Sequence, residues 1–282
     1  MQSAPHIPAN SGQPAPKLLG QSSVNYRDPN KGAEVRRMFA GISRRYDLLN
    51  RLMSFNRDQA WRRAAVKLSG AKEGSRVLDV CCGTGDMAFE FRRVVGDTGQ
   101  VIGGDFTPEM LTIARAKGER RGRDASPKRP QSHDNTGRLG EPSLPVPFLA
   151  ADTLDLPFRD GEFDVCSVAF GIRNVQDITA GIREMARVVK PGGRVVILEC
   201  AQPSRTMFQR PYRFYMTRVV PYLGHLLSRS KHKAYSYLPD SVALFPKPDA
   251  LADLMRAQGL TDVRFYFKTF GVVAIHIGTR GA

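Results

Sequence analysis

From Glu34 onward, apolar residues fall at helical spacing: Val35, Met38, Phe39, Ile42, Tyr46, Leu49 and Leu52. The pattern predicts one or two amphipathic helices, a helical cap over about 34–70. The density of aromatic and polar residues from Tyr46 to Asn50, then Met53, Ser54, Phe55 and Trp61, suits either a cover on the core or a lid over a ligand. Beyond the cap the period alternates. Val77, Leu78 and Val80 read as a short buried strand, and Phe89, Phe91 and Val94 as the apolar face of a helix starting at Asp86. A strand from Val101 to Asp105 leads to a helix with Pro108 in its first turn and Met110, Leu111, Ile113 and Ala114 inside. Strands follow at 146–150, 163–170 and 194–199, with a helix from Ile178 to Val189 closed by Lys190-Pro-Gly-Gly193. A short helix from Pro248 to Gln258 precedes two strands, 263–267 and 272–277, that read as an edge hairpin. Strands alternating with helices predict an α/β fold with a doubly wound, Rossmann-like parallel sheet.

Two stretches break the pattern. Residues 1–32 are rich in Pro, Ser, Gly, Asn and Gln, and 118–145 hold arginines, prolines and few aliphatic residues. Both read as disordered, a tail and an insertion, leaving one domain over 33–282.

The chemistry gathers at strand ends. Val77-Leu-Asp-Val-Cys-Cys-Gly-Thr-Gly-Asp86 is a strand running through a glycine turn into a helix. Such a turn lets the backbone approach a nucleotide, and the helix start offers unpaired N–H groups. Gly83, Gly85 and Ala88 also satisfy the dinucleotide spacing, and Asp105 at the next strand end would suit a ribose hydroxyl with either ligand. Asp79 separates the two. A carboxylate before the turn repels a pyrophosphate and suits a phosphate-free ligand with a cationic end, such as S-adenosylmethionine. The alternative role for Asp79 is to cap the glycine turn. Asp79, Asp105, Asp152 and Phe170-Gly-Ile-Arg-Asn174 all fall at carboxyl ends of strands, so one crevice collects them.

Charge and composition narrow the partners. The 282 residues are 41% hydrophobic, carry a formal net charge of +15, and include four cysteines. No run approaches the roughly 20 apolar residues of a membrane span, and the N-terminus lacks a secretory core, so a cytoplasmic protein is expected. No Cys-x-x-Cys pair or zinc-spaced histidine pair occurs, and no metal is expected. From Cys200 to Pro239 there is no Asp or Glu, while arginines and lysines interleave with aromatics over about 205–235. Such a segment suits a membrane interface or a long apolar substrate, and also RNA; a core-covering helix with a basic outer face is the plainer alternative.

Several of these pieces together resemble one family. Tyr46-Asp-x-x-Asn50 with Met53-Ser-Phe55 and Trp61, the glycine loop, Phe170-Gly-Ile-Arg-Asn-Val175, Val189-Lys-Pro-Gly-Gly-Arg194, Tyr235-x-Tyr-Leu238 and Gly271-Val-Val-Ala-Ile-His276 are similar to the quinone-biosynthesis C-methyltransferases. These are class I S-adenosylmethionine-dependent methyltransferases acting on demethylmenaquinol and, in some members, on the benzoquinol of ubiquinone synthesis. The resemblance implies a seven-stranded sheet with the last strand antiparallel and S-adenosylmethionine as methyl donor. It implies that Gly83, Thr84 and Gly85 form the cofactor loop, that Asp105 holds the ribose, and that Asp152 and Thr153 lie beside the adenine. Departures are Thr153 for a usual alanine, Ala169 for a frequent serine, Asn56 for a usual glycine, and the long insertion.

Carbon methylation needs a reduced quinol, whose ring carbon becomes nucleophilic as a hydroxyl loses its proton. Arg173 is expected to stabilise the oxyanion and Asn174 to orient it; the alternative is that Arg173 pairs structurally with a carboxylate such as Asp152. Demethylmenaquinol is the expected acceptor, with the benzoquinol as alternative. The expected partners are a polyprenylated quinol and, transiently, the cytoplasmic face of the inner membrane, with homodimerisation open. A nucleic-acid methyltransferase is disfavoured because the turn after the fourth strand reads Phe170-Gly-Ile-Arg-Asn, not Pro-Pro-aromatic. No nucleic acid is therefore expected.

Overall fold

A computed structural model describes residues 31–124, 145–203, 206–220, 222 and 234–282. The predicted N-terminal tail lies outside these residues except for Lys31 and Gly32, which open the first helix. Seven strands form one sheet: β1 Arg76–Val80, β2 Gln100–Asp105, β3 Phe148–Ala150, β4 Phe163–Ala169, β5 Val189–Cys200, β6 Leu260–Lys268 and β7 Val273–Arg280. Their order is β3-β2-β1-β4-β5-β7-β6. The first five are parallel, and β7 runs antiparallel to both β5 and β6, as the family resemblance implied.

The alternating pattern sorts side chains onto two faces. On β1, Leu78 and Val80 join a core with Ile182, Met185, Leu251 and Met255. The last four come from α5 (Ile178–Val188) and α8 (Pro248–Ala257). Val77 points the other way, to a core with Ala65, Val66, Phe91, Val95 and Leu111. These belong to α2 (Arg57–Ser69), α3 (Asp86–Val95) and α4 (Pro108–Asp124). Strand β5 repeats the split, with Val195 and Ile197 on one face and Val196 and Leu198 on the other. Burial on both faces is what a central parallel strand requires.

The cap helix α1 (Lys31–Met53) has only a small core of its own, Ile42 and Leu49 against Met38, Phe39, Tyr46 and Met53. It turns into α2 through Phe55 and Asn56, both at positive φ. The resemblance set Asn56 against a usual glycine, and asparagine is among the side chains that best tolerate the left-handed region.

Three boundaries differ from the sequence reading. Helix α4 continues through Gly118 to Asp124, so the insertion begins later than expected; the 125–144 remainder lies outside the described residues. Arg121 stacks its guanidinium 4.3 Å from the Phe89 ring centroid, which anchors the extra turns. Strand β5 starts at Val189, but β4 pairs Phe163 with Val189 and then Val165 with Arg194, so Lys190–Gly193 bulge out of the ladder. Of the basic aromatic segment, α6 (Thr206–Phe214) runs into a π-helical turn, Tyr215–Val219, and α7 (Ala234–Leu244) follows; 223–233 lie outside the described residues.

Candidate active site

The glycine loop is held open by backbone strain and one carboxylate. Cys81 and Gly83 both sit at positive φ, and so does Gly85, where a Cβ would come within 2.7 Å of the Phe148 ring. Asp105 accepts from the Gly83 N–H at 2.8 Å and from the Thr107 N–H at 2.8 Å, tying the ends of β1 and β2 together. Burial raises its pKa, against the pull of those N–H donors.

A cavity of about 340 Å³ opens at these strand ends, lined by Gly83, Asp105, Asp152, Thr153 and Asn174 among others. That volume falls within the range of small-molecule sites. Asp152 turns one oxygen to the Leu154 N–H, at 2.9 Å. The Thr153 hydroxyl sits 3.2 Å from the Cys81 sulfur. Burial raises the Cys81, Cys82, Cys166 and Cys200 thiols, so none is poised as a thiolate.

Two expected cofactor residues are placed otherwise than their spacing suggested. Asp79 is fully buried behind the loop, with one oxygen 2.7 Å from the Ser167 hydroxyl. Its second oxygen finds no partner among the described residues. Thr84 turns its hydroxyl away to the Asp47 carboxylate at 2.6 Å, and Lys117 donates to the same hydroxyl at 2.9 Å. The Asn174 side-chain oxygen is likewise buried and unpartnered. Unsatisfied buried acceptors are uncommon. Asn174 in the cavity wall fits a ligand bearing N–H donors, as S-adenosylmethionine does, and Asp105 and Asp152 fit its ribose and adenine, while Asp79 lies behind the loop and does not line the cavity.

A second cavity, of about 560 Å³, lies between α1, α2, the β4–α5 turn and α6. Its walls are mostly apolar, with Ile42, Leu49, Met53 and Phe208 among them. Phe39, Tyr46 and Phe170 line both cavities, so they form the partition between the two. Trp61 lines the larger one, donating from its indole to the Thr269 hydroxyl at 2.8 Å.

Arg173 lines the larger cavity and Asn174 the smaller, because a 3₁₀ turn, Ile172–Asn174, aims consecutive side chains apart. The turn packs so closely that a Cβ on Gly171 would lie 2.3 Å from that of Cys81. Arg173 is buried and ion-paired with Glu199 at the end of β5, so the carboxylate for which the sequence offered Asp152 is supplied by Glu199. Its guanidinium also donates to the Phe170 carbonyl at 2.7 Å. Burial opposes its charge, but the Glu199 carboxylate prevails and holds the pKa above the ordinary arginine value. Arg62, ion-paired with Asp58 at 2.7 Å, places a second guanidinium 5.4 Å from the Phe170 ring centroid.

Glu199, Tyr46, Arg62 and Lys117 were not singled out from the sequence as site residues. Tyr46 carried a signal, the aromatic density before Trp61. Glu199 ended an apolar strand, which places it at the same sheet edge as Asp79 and Asp105.

The sequence model of the ubiE/COQ5 methyltransferase family matches residues 27–280. The chain is 46% identical over 244 residues to a demethylmenaquinone methyltransferase of Thermus thermophilus, covering 86% of this chain and 100% of that protein. It is 41% identical over 255 residues to a ubiquinone/menaquinone biosynthesis C-methyltransferase UbiE of Geobacter sp. strain M21, covering 90% of this chain and 100% of that one. Among solved structures, an S-adenosylmethionine-dependent methyltransferase of Thermotoga maritima superposes with a TM-score of 0.57 at 20% identity, covering 86% of this chain and 98% of that one. That likeness establishes the fold, a class I methyltransferase architecture.

Proposed function

Since the chain belongs to the ubiE/COQ5 methyltransferase family, we propose that its two cavities divide one reaction between them, methyl donor in the smaller and quinol in the larger. The protein is an S-adenosylmethionine-dependent methyltransferase of menaquinone or ubiquinone synthesis. Within that class we infer demethylmenaquinol as the acceptor. The relative at 46% identity carries that activity in its name, and the larger cavity offers a mostly apolar wall to a fused ring and its tail. The single observation that carries the two-site reading is the shared partition of Phe39, Tyr46 and Phe170.

S-adenosylmethionine supplies an electrophilic methyl group on a sulfonium. The chain's task is then alignment and control of charge. Asp105 would accept from the ribose hydroxyls and Asp152 from the adenine amine. Gly83 and Gly85 let the loop approach, and Asn174 would face the cationic end, with the Asp79 carboxyl acting on it from behind the loop. Across the partition, Arg173 would donate to the quinol oxygen as it becomes anionic. Because Glu199 already neutralises Arg173, the stabilisation comes from directed N–H groups rather than from a free charge. The Arg173 proton is too firmly held for a role as base.

The test is a transfer assay with labelled S-adenosylmethionine, offering reduced demethylmenaquinol and the demethylated benzoquinol side by side, with oxidised forms as controls. Label on the naphthoquinol alone supports the reading, and label on both makes the enzyme bifunctional. Label on neither, with cofactor binding intact, overturns it. In the same assay Arg173→Ala should lose turnover while keeping cofactor affinity; equal loss of both would remove Arg173 from the acceptor side.

A further inference from the structure

Several polar groups in the wall of the larger cavity are committed to protein partners. Tyr215 donates its hydroxyl to the Met53 carbonyl at 2.6 Å. Trp61 donates to Thr269, and Arg173 is engaged with Glu199 and the Phe170 carbonyl. Ser54 donates to the Asp58 carboxylate at 3.0 Å. The Tyr237 hydroxyl on α7 is not among them. Tyr237 lines the cavity, and its hydroxyl is shielded from solvent and has no hydrogen-bond partner among the described residues.

A buried hydroxyl without a partner destabilises the fold that contains it. Tyrosine rather than phenylalanine at this position is therefore a cost to the free protein, offset only when something in the cavity completes the bond. The charge environment says what that something is. Arg173 and Glu199 both act on the ionisation of Tyr237, and Arg173 lines the same mostly apolar cavity. Burial pushes the phenol up to about 12, so it remains a neutral donor across the physiological range. A neutral donor beside a guanidinium suits an anionic oxygen on a flat apolar ring.

We propose that the Tyr237 hydroxyl is a catalytic hydrogen-bond donor to the quinol oxygen that carries negative charge during methyl transfer, acting beside Arg173. The assignment rests on the reading of the larger cavity as the quinol site. In the reaction the quinol hydroxyl gives its proton to water, the ring carbon takes the methyl group as S-adenosylhomocysteine leaves, and the ring hydrogen is then lost to water; two donors from different elements, the β4–α5 turn and α7, favour the ionised quinol. A donor of this kind strengthens as charge develops on oxygen, so its effect falls on the transition state more than on the resting complex.

The experiment compares Tyr237→Phe with the full-length parent. Removal of an unsatisfied oxygen should leave the Tm unchanged or raise it. The affinity for S-adenosylhomocysteine should be unchanged. With demethylmenaquinol, kcat/KM should fall about tenfold, the loss of one charge-assisted bond of about 1.4 kcal/mol. The alkaline-rising limb of kcat/KM against pH should move upward, toward the ionisation of the quinol in water. Replacing Tyr237 alone with 3-fluorotyrosine, which keeps the donor and makes it more acidic, should retain activity and leave the limb at or below its parental position.

A fall in Tm with an unmoved limb would make Tyr237 structural and overturn the proposal. So would unchanged quinol kinetics, or an equal loss of cofactor affinity. Failure of the underlying reading is separable, because Trp61 is the only tryptophan of the chain and lines the same cavity. If demethylmenaquinol leaves the parental fluorescence unchanged at concentrations that saturate turnover, the cavity assignment falls and takes Tyr237 with it. If the quinol quenches Trp61 while Tyr237→Phe behaves as parent, only the Tyr237 role is lost.

Discussion

Asp79 shows how a single carboxyl can couple ligand binding to pH. It has no solvent exposure, and one of its oxygens lacks a partner. Burial pushes its pKa up to about 7. The Ser167 hydroxyl on β4 and the Arg62 charge on α2 pull it down, and the Asp105 carboxylate on β2 pushes it further up. In the unfolded chain the group ionises near about 4. A raised folded value means that the neutral form is favoured in the fold. The stability it contributes is complete below about pH 4 and is lost as pH rises through about 7. A cation bound near Asp79 reverses the preference, since it favours the ionised carboxyl. Affinity for S-adenosylmethionine should therefore strengthen as pH rises from about 5.5 to about 7, approaching about tenfold per unit at the acid end. Calorimetry across that range checks it, and Asp79→Asn should flatten the dependence. A slope that persists in the variant would assign the titration to another group. The sequence made Asp79 visible as a carboxylate before a glycine turn. It did not carry the buried, half-satisfied state, which depends on Ser167, far along the chain.

At the scale of elements, the cap helix α1 has only a small apolar core of its own, and polar ties add to it. The Lys31 ammonium reaches the Val175 carbonyl at 2.8 Å. Asp47, next to the partition residue Tyr46, accepts from Thr84 and pairs with Lys117 at 2.5 Å. Lys117 also pairs with Asp86 at 2.8 Å, so one ammonium joins α1, α4 and the start of α3 over the glycine loop. Burial would raise Asp86, but Lys117 outweighs it and keeps the carboxyl below its ordinary value. A partly buried network of this kind is stronger than isolated surface pairs. Lys117→Met should raise the KM for S-adenosylmethionine about tenfold with a smaller effect on kcat, and Lys117→Arg should restore most of it. Combined with Asp47→Asn, the loss should be less than the product of the two, as for residues of one network. Full additivity would dissolve the latch. The strands and the glycine loop were legible because periodicity and local turn chemistry write themselves into neighbouring residues. The Lys117 latch, the Arg173–Glu199 pair and the Tyr237 position were not, since each joins residues whose separation is set by topology. The extra turns of α4 were misread for a related reason. Gly118 looks like a breaker, yet Arg121 on Phe89 rewards continuing the helix.

Over the whole molecule, charge and exposed apolar surface meet near one opening. Phe55 is 77% exposed and Phe270 is 72% exposed, and both line the larger cavity. Met207 at 71% and Phe214 at 64% stand out from α6, which lacks acidic residues and exposes Arg210 and Arg213. Exposed large apolar side chains grouped beside arginines suit the interfacial zone of an anionic bilayer, where the rings enter the acyl boundary and the guanidinium groups meet phosphate. No helix among the described residues is long and apolar enough to cross a membrane. Such a placement would let a polyprenyl tail remain in lipid while the ring enters the cavity. Met207→Ser with Phe214→Ser leaves the cavity wall untouched, because neither side chain lines it. The double variant should bind phosphatidylglycerol vesicles about tenfold more weakly by cosedimentation, a loss within the burial energy of two such side chains. Raised salt should weaken the parent further through its arginines. Methylation of a long-tailed quinol presented in vesicles should slow in proportion, while a tail-free quinol in solution should react at the parental rate. Equal slowing of both would place the defect in the acceptor cavity. Unchanged cosedimentation would mean that the exposed aromatics serve a different surface than lipid.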